Sequence, residues 1–133
     1  MTNKTNARYE KGATKKEIAL QTNLFIQTVS RHYDLTDDQE VFFELKHCPS
    51  RPFYCIDTNR VVIGPKDMDT WTVAHELAHW VQQMIEGETW CRSATRTQQR
   101  EKGAFIHRHD IITAQIKTLA KESGYRLWLQ LNA

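Results

Sequence analysis

Three residues in the run WTVAHELAHWVQQMIEG, residues 71–87, have the types and spacing to hold a metal ion and activate water: His75, Glu76 and His79. Side chains four apart on a helix are neighbours, about 5–6 Å between Cβ atoms, so both imidazoles can point at one ion. Neutral imidazole suits zinc, which takes nitrogen ligands in a tetrahedral array at about 2.0–2.1 Å. Glu76 lies one residue round the helix. It is badly placed as a primary ligand but can reach a water in an open coordination position, the geometry of a general base.

Two histidines leave a catalytic zinc site one protein ligand short. The candidates lie downstream in FIHRHDII, residues 105–112. At helical spacing His109 shares a face with Phe105, Ile112, Ile116 and Leu119, so it points where a core-facing stripe points. His107 falls on the other side. His109 is therefore the preferred third ligand, with His107 as the alternative and Asp110 or another carboxylate behind both. His32 and His47 are expected to be structural or exposed.

These groups need elements to carry them. On the motif helix, Val73, Leu77, Trp80, Val81 and Met84 form one face, and His75, His79, Gln82 and Glu86 the opposite one, which predicts burial on one side only. Ala74, Leu77 and Ala78 let it lie close under a sheet. Asp67 or Asp69 can cap its start near Thr70, and Gly87 stops it. Upstream, Thr14 and Glu17 form a capping signal for a first helix with Ile18, Leu24, Phe25 and Val29 at broadly helical spacing. VFFELKHC, FYCID and RVVIG are short, rich in β-branched and aromatic residues, and parted by turn formers, which predicts a three-stranded antiparallel meander. Residues 88–103 read as a polar connection, Ala104–Ser123 as a third helix closed by Gly124, and YRLWLQLN as an apolar tail docked on the core.

At 133 residues the chain fits one α+β domain, here 15–133, behind a mobile arm at 1–14. Eighteen Lys and Arg against sixteen Asp and Glu give a net charge of +2, which selects no partner by itself. A basic stretch at 92–108, with Arg92, Arg96 and Arg100, offers a landing place for DNA or an acidic protein. No apolar run approaches a membrane span and no greasy leader begins the chain, so a soluble, cytoplasmic protein without membrane contact is expected. Cys48, Cys55 and Cys91 are odd in number and form no Cys-x-x-Cys pair. That fits free thiols in a reducing compartment, although Cys48 and Cys55 could meet across a hairpin in an exported protein.

Taken together, VVIGPKDMDTWTVAHELAHWVQQM and the downstream histidine resemble the SprT-like zincins. That family joins a short strand, a His-Glu-x-x-His helix and a third histidine opening the next helix, usually as His-Gly-x-x-Phe or Trp. The likeness spans roughly residues 53–122. It implies a zincin-like fold, one zinc ion on His75, His79 and His109 or His107, Glu76 as catalytic base, and peptide-bond hydrolysis in proteins, including DNA-associated ones. Two features depart from the pattern: the third histidine lies about thirty residues beyond His79 without a following glycine, and no zinc ribbon follows. A non-enzymatic zinc-containing module that binds protein or DNA is the competing expectation.

Overall fold

In the run RVVI three consecutive residues, Val61, Val62 and Ile63, are between 0% and 2% exposed. A strand covered on both faces belongs in the middle of a sheet. Accordingly β3 (Arg60–Ile63) lies between β1 (Phe42–Leu45) and β2 (Phe53–Cys55). It runs parallel to β1, with Phe43 opposite Val61, and antiparallel to β2, with Tyr54 opposite Val61. The sheet is thus mixed, and the antiparallel meander expected from the sequence is corrected. A meander would put β2 at the centre, but exposed Phe42 and Phe53 mark β1 and β2 as edges. The computed structural model describes residues 13–47, 51–87 and 96–132, without the side chains of 96–102. All but the last two residues of the expected arm at 1–14 fall outside it, as do Cys48, Cys91 and Arg92. Cys55 is a half-buried free thiol.

The β2–β3 turn is pinned through Asn59, held at φ 48°. Tyr54 Oη donates to Asn59 Oδ1 at 2.6 Å, and Asn59 Nδ2 donates to the Glu40 carbonyl at 2.5 Å, fastening the hairpin to the entry of β1.

Around the sheet the described residues form four helices: α1 (Lys15–His32), α2 (Thr70–Glu86), α3 (Arg96–Glu122) and α4 (Tyr125–Asn132). Thr14 caps α1 by accepting the Glu17 N–H, as its sequence predicts. Its buried stripe is Ile18, Thr22, Phe25, Ile26 and Val29, so Leu24, grouped with this stripe by spacing, lies off it at 47% exposed. The C-terminal tail is a helix. Tyr125 of α4 stacks on Phe25 with ring centroids 4.4 Å apart, and its hydroxyl hydrogen-bonds Thr22 Oγ1 at 2.7 Å. Burial and a satisfied polar tip together anchor α4 on α1.

Asp69 caps α2 by accepting the Thr72 N–H at 2.8 Å, and Gly87, at φ 66°, ends it in the left-handed region. Leu77, Trp80 and Val81 are fully buried, each worth about 1.5–3 kcal/mol of removal from water. Trp80 Nε1 also donates to the Gln39 carbonyl at 2.8 Å. The face expected to be solvated is covered too. Gln82 is 0% exposed and His75, His79 and Glu86 are half-buried, because α3 packs on that side. α3 starts eight residues before the expected Ala104. Residues 96–102 are polar but mostly good helix formers, which a search for apolar periodicity does not register. Gly124, at φ 83°, closes α3 as expected. Among the described residues no helix is long and apolar enough to cross a membrane.

Candidate metal centre

Packing α3 across α2 brings His109 to the two motif histidines. One ring nitrogen from each of His75, His79 and His109 lies within 4.8 Å of the others. The rings meet edge to face for His75 with His79, centroids 4.8 Å apart, and for His75 with His109, 4.7 Å. His79 and His109 are tilted at 4.1 Å. His109 is the buried member, 4% exposed, on the stripe that includes Ile112 and Ile116. His107 is exposed and outside the cluster, as are His32 and His47. Asp110 is exposed, with Oδ1 3.5 Å from His109 Nδ1.

The donor set fits a divalent cation that favours nitrogen. His109 Nε2 lies 3.0 Å from the His75 carbonyl, which can only accept, so in the neutral ring the proton sits on Nε2 and Nδ1 keeps its lone pair. A backbone carbonyl holding the second N–H is the usual support of a metal-ligating histidine. Burial also keeps His75 and His79 in the neutral form a metal needs. It pushes His79 down to about 3, helped by the neighbouring His109 and His75. His75 is lowered for the same first reason, with His109 adding and Asp110 opposing.

Glu76 lines a cleft of about 330 Å³ together with His75, His79, Arg51, Phe53 and Tyr54. Burial pushes its carboxyl up to about 7, against the opposing pull of the Arg51 charge. A carboxyl near neutrality can both accept and return a proton at physiological pH.

The crossing that aligns His109 is clamped one turn further on. Gln82 Nε2 donates to Glu86 Oε2 and to the Phe105 carbonyl, both at 2.8 Å. Arg108 Nε donates to Glu86 Oε1 at 3.0 Å, and this pairing holds the Glu86 carboxyl below its ordinary value. Thr113 Oγ1 donates to the His109 carbonyl at 2.9 Å.

Three participants were missed in the sequence. Trp71 stacks on His75, centroids 4.9 Å apart and 13° between planes, while remaining 56% exposed. Its position four residues before His75 is the signal that could have found it. Gln82, three residues after His79, was placed on a solvated face. Arg51, between the residues Ser50 and Pro52 of a turn-forming run in the sequence, carried no signal. Of the basic stretch at 92–108, Arg92 is outside the described residues, Arg96 and Arg100 are described as backbone alone, and Arg108 is bound to Glu86. No protein-family model matches the chain, and neither a curated protein nor a solved structure does.

Proposed function

We infer that the chain is a zinc-dependent peptidase acting on unstructured protein segments, with one zinc ion on His75, His79 and His109. The observation that carries this reading is the convergence of three histidines, two of which, His75 and His79, line one open cleft with the buried carboxyl of Glu76. Zinc held there supplies a Lewis acid for the scissile carbonyl and brings the pKa of a water near 7.

The chain's own groups do the rest. Glu76 accepts a proton from the attacking water and returns it to the amide nitrogen as the C–N bond breaks, leaving a carboxylic acid and an amine. β2 is an edge strand whose Phe53 and Tyr54 line the cleft, so an extended peptide can add to it by backbone hydrogen bonds with its carbonyl over Glu76. Arg51, in the same wall, offers a positive charge to the developing oxyanion or to an acidic substrate.

The resemblance to SprT-like zincins supports the reading through element order: strand, His-Glu-x-x-His helix, and a third histidine on the next helix. The free Cys55 thiol agrees with a cytoplasmic setting. The test is hydrolysis of unfolded protein by the zinc-loaded chain, with and without DNA, against Glu76→Gln. Zinc-loaded protein that cleaves nothing would instead assign a metal-containing binding module.

A further inference from the structure

A second cavity, about 510 Å³, adjoins the metal centre across the Trp71–His75 stack. It is bounded by the start of α2 and by α3 and α4. Its size is that of a small-ligand or side-chain site rather than a packing gap. Met68 and Leu129, 5% and 2% exposed, give it an apolar floor, and Trp71 gives it an aromatic wall. Two cations line it from different helices, Lys117 of α3 and Arg126 of α4. Neither has a carboxylate partner among the described residues. The one acid in the wall, Asp69, is engaged in capping α2 through the Thr72 N–H. A cavity with an apolar floor and two uncommitted cations is complementary to a carboxylate on a short aliphatic stem.

We propose that this cavity, lined by Trp71, Lys117 and Arg126, is a subsite for an acidic residue of the peptide substrate, lying a few residues along the chain from the bond at Glu76. The proposal rests on the peptidase reading and adds its substrate class. A peptide leaving the cleft past His75 crosses the exposed ring of Trp71 before it reaches Lys117 and Arg126. Arg126 can take the carboxylate through two N–H groups, and Lys117 adds a point charge. Because the contact lies away from the reacting bond, it acts on binding of substrate and transition state alike. Its signature is a change in KM with kcat unchanged.

The experiment walks a single Glu along an otherwise neutral, unstructured fluorescent peptide, with Gln at the same position as control and the C-terminus either free or amidated. Hydrolysis by the zinc-loaded wild type is compared with the double variant Lys117→Ala/Arg126→Ala, whose folding is checked by thermal melting. One Glu position should lower KM by about tenfold relative to Gln, and the double variant should erase that preference, so that its KM values for the Glu and Gln peptides coincide. A preference confined to free C-termini would name the chain end as the source of the carboxylate and support the subsite. No preferred position, or one that survives the double variant, would overturn it. So would loss of duplex-oligonucleotide binding in the double variant with peptide preference intact, since the cations would then serve phosphates. Affinities of the same peptides for zinc-loaded Glu76→Gln separate this idea from the peptidase reading. Glu-dependent binding that needs Lys117 and Arg126 keeps the subsite even if no bond is ever cut, while hydrolysis without acid preference keeps the peptidase and removes the subsite.

Discussion

His109 Nε2 donates its proton to the backbone carbonyl of His75 at 3.0 Å, so the ring that completes the histidine cluster is oriented by the helix that supplies the other two. The carbonyl is fixed by the α-helical backbone and cannot rotate away. The His109 ring is therefore held beside His75 and His79 before any ion arrives, which lowers the ordering cost of binding.

This arrangement separates the two downstream histidines. Purified protein should carry roughly one zinc per chain, and zinc should raise its melting temperature by binding the folded state alone. His109→Ala should weaken zinc by more than the roughly 10–100-fold that follows loss of a group merely supporting a ligand. His107→Ala should leave affinity within a few-fold, because that side chain is exposed and outside the cluster. Competition with a chelating dye measures both, and the reverse ranking would move the ligand role to His107.

How far the sequence disclosed this site depends on the interaction in question. Helical periodicity is local, so the pairing of His75 with His79 and the inward direction of His109 were both readable from spacing. The strand order was not, because alternation along a strand says which face is buried and nothing about its neighbours. The unbroken Val61–Ile63 run was the one clue that β3 belongs in the centre. Burial of Gln82 was hidden for a similar reason. Its environment is made by Phe105 and by Glu86 with Arg108, a contact across two helices that no single-helix projection contains.

That contact gives a stability prediction for the metal-free protein. Gln82 is fully buried and makes two hydrogen bonds, one to Glu86 and one across to α3. Gln82→Ala should cost about 2–3 kcal/mol through the cavity and the lost hydrogen bonds. Arg108→Ala should cost only about 0–1 kcal/mol, since its ion pair with Glu86 is half exposed. Denaturant unfolding reads both. Equal costs would mean the clamp is electrostatic rather than packed.

Protonation should shape the stability of the metal-free chain from two sides. Glu76 is raised from 4.5 to about 7, so its favourable contribution is full below about pH 4.5 and disappears as pH rises through 7. His79 is depressed from 6.5 to about 3, so its contribution is full above about pH 6.5 and disappears as pH falls toward 3. The melting temperature without metal should have a broad maximum at mildly acidic pH, where these windows overlap and the two slopes oppose each other, and fall by several degrees by pH 8. Zinc favours the ionised carboxylate nearby and neutral histidines, so the loaded protein should peak at a higher pH. Parallel melts of chelated and zinc-loaded protein from pH 4 to 9 check this, and coincident profiles would contradict the site.

Glu76→Gln isolates the chemistry from the metal. The substitution keeps the size of the side chain and its capacity to hydrogen-bond while removing the group that accepts a proton. Zinc content should stay near that of wild type, because the three histidine ligands are untouched. The metal-free variant should lose the alkaline fall in stability described above, since the carboxyl that resists ionisation is gone. Peptide hydrolysis should fall by at least the ~10² to 10⁴ expected from loss of a general base, and by more if the carboxylate also orients the water it deprotonates. Measuring zinc, melting temperature and turnover on one preparation makes the result decisive. Turnover that survives in a fully loaded variant would remove Glu76 from the mechanism, whereas loss of zinc together with turnover would give it a role in holding the ion.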